Sequence, residues 1–560
     1  MQNAVRSEVL VVGAGPVGLT LANALAHHGV TATVVDSRHE PRTQSRANNL
    51  YARPQELLAA VGLRDLLADG AHRVSSAQFV MNGRSIDTVG FDDASLPYPA
   101  VLYSSQAVME RTMRDALTGR GRPVEGGVTL VGLEQDATGV DAELETADGH
   151  RYTHRARYVV GTDGANSAVR RAVRIELEVE DFPRRATRQI DARLSWRRPT
   201  TRDTMWFFVY ENGFAGVLPI EGDCHRLFFV EDDEGMPERE PTVEEMQDRA
   251  REVTGDPTVT LTDPIWASHT RFRHGVASAH AVGRVFLAGD AGHLNLPIGG
   301  QGMNAGMQDA VTLAWRLAMT LAGRAAPAVL ASYATERHGE HRRLGRQEVS
   351  GFRRLMYRSG LQDKVLDVAA AAVPEIGKRL LGAEELQQLA VAYPDSPLSV
   401  DHRPRRPGRR VAAGHRAPDS RVVRDDRTTT LFEQIYNPDG LTWGWALLAF
   451  EGPGDDRAEL AAAVEAVTLR HPWVRARLVR NRPDGPAAPD EVPVLWDLDG
   501  QAHSAYGTAR SATLVLVRPD GHVGLLAPAD RGDALLTYCG AIDPTHDRRP
   551  AELAHAGAHS

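Results

Sequence analysis

A chain of 560 residues predicts three or four domains, or two large ones, at the usual size of roughly 150 residues each. With 42% hydrophobic and 24% charged residues, 51 glycines and 32 prolines, it has the balance of a globular protein, which excludes a disordered or fibrous chain. A net charge of −9 leaves no electrostatic footprint for nucleic acid, and two cysteines, Cys224 and Cys539, cannot build a disulfide framework or a Cys-rich zinc site.

Residues Glu8 to Asp36 read as strand, glycine-rich turn, helix and second strand, the βαβ unit of a parallel sheet. A helix-like ARPQELLAAVGLRDLLADG follows, and short alternating strands begin at Val128, the last ending in the apolar run YVVGTDG. Between about Ile175 and Trp266 the pattern is β-rich, with RQIDARLSW, DTMWFFVY, GFAGVLPI and CHRLFFVED separated by turn residues. GRVFLAGDAGH returns to a buried strand, and MNAGMQDAVTLAWRLAMTLAG reads as a long helix with Met303, Met307, Val311, Ala314, Leu317 and Leu321 on one stripe. A helical stretch runs to about Ala392, HRPRRPGRR (402–410) reads as a linker, and a separate strand-rich segment carries WGWALLAF and ATLVLVRPDG. The tail AELAHAGAHS is expected to fray. No secretory leader pattern is read at the N-terminus and no run of about 18 apolar residues occurs, so no membrane partner and a cytoplasmic location are expected.

Gly13, Gly15, Pro16 and Gly18 lie directly after a strand and open a helix. The first glycine permits the tight turn, the second lets backbone approach a pyrophosphate, and the third allows close helix–strand packing. The helix N-terminus supplies amides and a positive dipole end to the anion. Asp36 closes the second strand 18 residues after Gly18, where an acid accepts from ribose hydroxyls, with Ser37 and Arg38 beside it.

Two distant stretches, GTDGANS (161–167) and GRVFLAGDAGH (283–293), separate a flavin from a bound nicotinamide reading. Together with Pro297, Gly299, Gly300, Gln301, Gly302, Met303 and Asn304, the set resembles the single-component FAD-dependent aromatic hydroxylases, the phenol hydroxylase and aromatic polyketide hydroxylase branch, over roughly the first 390 residues. The resemblance implies FAD as cofactor, with Asp290 on the ribityl chain and Asp163 and Gly164 bridging the flavin and nicotinamide sites. Pro297 and Gly300 then belong to a loop around the flavin ring, and the amides of Gly302, Met303 and Asn304 face its pyrimidine edge. Arg46 matches an arginine near the flavin phosphates, with Arg53 a second candidate, and Gln106 a glutamine of the same region. The β-rich segment would cover the flavin and hold the aromatic substrate against Trp206, Phe208, Phe214 and Leu218, with the pocket face left open.

The fold class expected is α/β: a Rossmann-like FAD-binding domain of the para-hydroxybenzoate hydroxylase type, an inserted antiparallel substrate sheet and a C-terminal thioredoxin-like domain. The boundaries are 1–175 and 267–395 for the flavin domain, 176–266 for the sheet, 396–411 for the linker, 412–548 for the appendage and 549–560 for the tail. Cys539 is the only cysteine of the appendage, so no redox pair is possible there. The implied reaction is an NAD(P)H- and O2-dependent hydroxylation of a phenolic or polycyclic polyketide aromatic, as in antibiotic tailoring, through a flavin C4a-hydroperoxide, with a homodimer as one allowed assembly.

No side chain is an obligatory nucleophile and no metal is expected. His293 is the nearest candidate base by motif, with a structural role the favoured reading, and Pro297 is the other catalytic candidate. Epoxidation, Baeyer–Villiger insertion, or a flavin protein that only shields an intermediate are the alternatives. A flavin halogenase is disfavoured because it needs a lysine between flavin and substrate. The only lysines, Lys364 and Lys378, follow the flavin loop, and Trp443-Gly444-Trp445 lies beyond the linker. Substrate identity, the position oxidised and NADH against NADPH are open on sequence alone.

Overall fold

The computed structural model describes the chain outside residues 1–4, 42–46, 82, 92, 94, 200–201, 211–212, 221, 233–238, 357–386, 405–410, 437–443, 455–456, 482–491 and 546–560. Arg46, Lys364, Lys378, Trp443, most of the Arg- and Pro-rich segment and the expected tail lie outside the described residues.

The apolar run EVLVV forms the strand Val5–Val12, with Val9, Leu10 and Val11 fully buried. Strands with no polar face need cover on both sides, which a parallel sheet between packed layers supplies. Its parallel neighbours are Ala32–Asp36 on one side and Arg151–Gly161 on the other, and Val285–Leu287 joins beyond the latter. Register aligns Val12 with Gly161 and Gly161 with Leu287. Three motifs far apart in sequence, beginning at Gly13, Thr162 and Ala288, therefore leave the same carboxyl edge of one sheet, the crevice where open α/β sheets hold ligands. The helices Pro16–His27 and Gln301–Leu321 pack on one face through Leu21, Leu25, Met307 and Val311.

The second sheet has eight strands in the order His293–Leu294, Thr260–Ala277, Leu177–Ser195, Cys224–Asp232, Gly213–Pro219, Thr204–Tyr210, Ser76–Met81 and Arg84–Gly90. The expected insert therefore recruits a hairpin from the first flavin segment, and Ser76–Met81 pairs parallel with Thr204–Tyr210. Packing explains this, because Ala77, Phe79 and Val89 share a core with Met205, Leu218, Phe207 and Phe228. At the other edge, the pairing of Val276 with His293 fastens the turn that follows Val285–Leu287 to this sheet.

The third sheet is mixed and also eight-stranded, flanked by the helices Arg457–Arg470 and Gly532–Ile542. Part of the expected linker is built into it, since Val400–Asp401 pairs with Leu525–Leu526. Trp315 of the long helix Gln301–Leu321 meets Trp445 of this sheet edge to face at 5.8 Å, so the flavin and C-terminal units share one apolar core. No helix among the described residues is long and apolar enough to cross a membrane.

Cys539 has no exposure and burial pushes its thiol up, whereas Cys224 is half-buried. A neutral thiol is a poor nucleophile. A disulfide reagent at neutral pH is expected to titrate one thiol, Cys224, in the native chain and both cysteines only after denaturation; rapid native labelling of both would contradict this burial.

Candidate functional site

The glycine turn is shaped by close packing on one side and openness on the other. Gly13 has φ +105°, and a Cβ there would lie 2.5 Å from the carbonyl oxygen of Thr162, while one at Gly18 would collide with the carbonyl of Gly13. At Gly15, the N-cap of Pro16–His27, a Cβ would meet nothing within 4 Å, and no side chain caps the helix. Backbone amides at a helix start facing open space form an anion cradle.

Asp36, 5% exposed, takes the amide of Ala14 at 2.7 Å on one oxygen and the amide of Arg38 at 2.9 Å on the other, with the Arg38 guanidinium at 3.1 Å. Burial opposes its ionisation, but the Arg38 and Ala14 hydrogen bonds hold its carboxyl below the usual range. Thr162 donates to the Gly13 carbonyl at 2.8 Å, which locks the second motif onto the first. Asp163 caps the short helix Ala168–Ala172, accepting from the amides of Ala168 and Val169 at 2.6 and 3.2 Å. Arg170 of that helix donates to the carbonyl of Ala291 at 2.9 Å, joining the second motif to the third.

In the run from Val285 to Gly292 every residue is buried except Asp290, which is exposed. Its neighbour Gly289 has φ +62° and would place a Cβ 2.8 Å from Val17, so helix Pro16–His27 and this turn touch backbone to side chain. Beneath the turn, buried Asp309 of the long helix accepts the Gly289 amide at 2.9 Å, His293 Nε2 at 3.0 Å, His341 Nε2 at 2.9 Å and Arg337 Nε at 2.6 Å. Burial raises a lone carboxyl, but the hydrogen bonds from His341 and His293 and the Arg337 charge hold Asp309 well below the usual carboxylate range. His293, His341 and Asp309 have atoms close enough to hold a metal ion. The guanidinium on Asp309 supplies the positive charge there instead, so the cluster reads as a hydrogen-bond hub.

After the turn, Pro297 is exposed, and Gly299 (φ +77°) and Gly300 (φ +63°) lead into the helix Gln301–Leu321 without a side-chain cap. The Tyr51 hydroxyl donates to the Gly299 carbonyl, and Asn304 accepts the Tyr51 amide at 3.0 Å while donating to Asn49 and Gly300 carbonyls. The loop is thus pinned from the segment Asn49–Tyr51 while the first amides of the long helix, at Gly302 and Met303, remain at its open end.

The second sheet has two different faces. Trp206, Phe208 and Tyr210 share a face with Ala215, Val217 and Phe229 and pack under the helix Val243–Thr254 against Met246 and Ala250. Phe207, Val209, Phe214, Leu218 and Phe228 point the other way, where Leu296 beside Pro297, Val349 and Phe352 pack with them. Phe207 stacks between Phe79 at 5.2 Å and Phe214 at 5.5 Å. Of the four residues expected to hold a substrate, Phe214 lies on the face that packs with Leu296, Leu218 on the same face beside Tyr51 and Phe79, and Trp206 and Phe208 on the face beneath the covering helix.

Two further candidates are tied up by partners within the fold. Arg53 is fully buried; it donates to Glu56 at 2.8 Å and to Tyr436 at 2.9 Å, and bonds the Asp520 carbonyl. His293, 1% exposed, is held between Asp309 and Asn295 and stacks on His341 at 3.6 Å, which leaves it a positioning group rather than a base. Gln106 accepts the Ala47 amide at 3.2 Å and donates to Glu110 at 2.7 Å, which places it beside the segment that carries Arg46. Asp309 went unread in sequence; the signal was an acid inside an otherwise apolar helical stretch.

The family described as FAD binding domain matches residues 6–347. Pentachlorophenol 4-monooxygenase of Sphingobium chlorophenolicum is 31% identical over 95% of this chain and 96% of its own. The 12-dehydrotetracycline 5-monooxygenase/anhydrotetracycline 6-monooxygenase of Streptomyces rimosus is 30% identical over 96% of this chain and 99% of its own. Among solved structures, a ternary complex of aklavinone-11 hydroxylase with FAD and aklavinone superposes with TM-score 0.74 at 26% identity, covering 96% of this chain and 99% of that one.

Glu348 of the helix Pro327–Met356 bonds the segment that leads into Pro297. Its carboxylate accepts Asn295 Nδ2 at 3.1 Å and the Leu296 amide at 3.2 Å, and burial pushes it up to about 8. A carboxyl raised on folding stabilises the protein at low pH and loses that contribution as pH climbs from its unfolded value through its folded one. Wild type is therefore expected to lose melting temperature relative to Glu348→Gln between about pH 5 and about pH 8, each kcal/mol appearing as roughly 1 °C in a chain of 560 residues. Parallel pH profiles would show that Glu348 is ionised in the native chain.

Proposed function

Because the chain belongs to the FAD binding domain family, we propose that it is an NAD(P)H- and O2-dependent monooxygenase that hydroxylates a phenolic or polycyclic aromatic compound. It is an enzyme of the flavin-dependent monooxygenase class with the para-hydroxybenzoate hydroxylase-type fold. The observation that carries the reading is the convergence of Gly13–Gly18, Thr162–Gly164 and Gly289–Asp290 on one sheet edge, opposite a loop whose far side is walled by Phe207, Phe214 and Phe228.

The residues present fit FAD. Open space at Gly15 above an uncapped helix start suits a pyrophosphate, Asp36 is ionised and placed for a ribose, and the exposed Asp290 suits a polyol chain. Gly13, Gly15, Pro16, Gly18, Asp36, Ser37, Arg38, Arg46, Gln106, Asp163 and Asp290 are the proposed cofactor contacts, with Pro297, Gly300, Gly302, Met303 and Asn304 around the ring. Bound FAD supplies the redox and oxygen chemistry.

The chain's own contribution is placement and exclusion of water. The uncapped amides at Gly302 and Met303 and the positive end of the long helix stabilise negative charge brought to that end. The phenylalanine face offers flat apolar contacts for a ring edge-on or stacked, and keeps the reacting centre dry. His293 holds its proton between Asp309 and Asn295 and so orients the turn bearing Asp290. The nicotinamide is proposed to bind transiently, and the reaction to be soluble and metal-free.

The test is anaerobic. Purified holoenzyme mixed with NADH or NADPH is expected to lose its yellow absorbance, faster with an aromatic ligand present, and oxygen is then expected to yield a product heavier by one oxygen atom. Failure to bleach with either donor under any ligand would leave a cofactor-shielding role instead. Asp290→Ala is expected to lose FAD about tenfold more readily, the scale of a hydrogen bond to a charged group; full flavin content in the purified variant would contradict the ribityl assignment.

A further inference from the structure

The motif LVRPDGHVG has no part in the scheme above, yet its turn Arg518–His522 is buried against the flavin unit. Arg518 donates to both oxygens of Glu336 at 2.7 and 2.9 Å and to Asp520 at 2.6 Å, and Asp520 takes Trp315 Nε1 of the long helix at 3.0 Å. His522 bonds Asp520 at 3.2 Å and packs its ring at a tilt against Tyr393, centroids 4.7 Å apart. The Tyr393 hydroxyl accepts Arg337 Nη1 at 2.7 Å, and the same guanidinium bonds Asp309 at 2.6 Å, whose other oxygen holds the Gly289 amide. Asp309, Arg337, Tyr393, His522, Asp520 and Arg518 are each no more than 5% exposed. A file of buried charges joined by hydrogen bonds, with one ring contact between His522 and Tyr393, has few alternative arrangements, because each broken hydrogen bond strands an unpaired polar group in low dielectric.

We infer that the turn Arg518–His522 of the third sheet is a positioning element for the flavin, acting through Tyr393, Arg337 and Asp309 on the turn that carries Asp290. The inference rests on the FAD reading above. It gives the C-terminal unit, which has no redox pair, a role in cofactor retention: the sheet sets Tyr393, Tyr393 orients the Arg337 fork, and the fork fixes the carboxylate that holds Gly289. None of these residues need touch the cofactor.

Tyr393→Phe removes one hydroxyl and keeps the ring, and Asp520→Asn removes one charge on the C-terminal side. Each full-length variant, stripped of flavin and titrated with FAD, is expected to show a dissociation constant raised at least about fivefold, the lower range of energetic coupling between distant sites. The flavin absorbance bands of each are expected to shift while apoprotein circular dichroism is unchanged. Combined, the two changes are expected to fall short of multiplying, as members of one network do. By reciprocity, FAD added to the wild type is expected to slow amide exchange at residues 393 and 518–522 as well as at the turn, a measurement that stands even where a variant fails to fold. Wild-type affinity and spectra in folded variants, or protection confined to the glycine turn and residues 289–304, would overturn the inference while leaving the FAD reading intact. A wild type that takes up no FAD would sink the reading itself.

Discussion

One buried carboxylate organises the site. Asp309 has no exposure, and an ionised acid in that position is tolerable only when donors surround it. Its four donors come from the turn at Gly289, the edge strand at His293 and two positions, Arg337 and His341, on the helix Pro327–Met356. The turn, the second sheet and both long helices are therefore fixed against one another by a single charge. The close approach of Gly306 and Gly289 to Val17 then brings the first helix, and with it the glycine cradle, into the same register.

What the sequence made legible was local. The glycine turn and the second and third motifs are recognised from residues adjacent in the chain, each at the end of an apolar strand, while the strand pairing that gathers them at one edge is long-range. What it concealed depends on distant partners. Strand alternation separates Trp206 and Phe208 from Phe207 and Phe214, but what covers each set, the helix Val243–Thr254 on one side and Leu296, Val349 and Phe352 on the other, comes from distant segments. Arg53 lies in a segment that looks like cofactor machinery, and its actual partners, Tyr436 and Asp520, follow it by 383 and 467 residues. The hairpin 76–90 joins the second sheet for the same reason, since its partner strand begins at Thr204.

The scarcity of lysine also takes on a structural meaning. Each buried junction uses the several donors of a guanidinium: Arg518 spans Glu336 and Asp520, Arg337 spans Asp309, Tyr393 and the Ala305 carbonyl, and Arg53 with Arg416 encloses Glu56. An ammonium group offers no planar fork and is more costly to dehydrate, so it could not serve these shared sites in the same way. A chain with only two lysines thus puts its arginines to use where the C-terminal unit meets the flavin unit.

The central claim, that the three motifs and the phenylalanine face enclose one flavin and one aromatic ligand, is tested most directly by a crystal structure of the chain with FAD and a bound phenol or polycyclic aromatic. The account predicts the ring system against the amides of Gly302 to Asn304, the ribityl chain at Asp290, and the ligand between Pro297 and Phe207, Phe214 and Phe228. A ligand seated against Trp206 and Phe208 beneath the helix Val243–Thr254, or a flavin remote from Asp290, would contradict it.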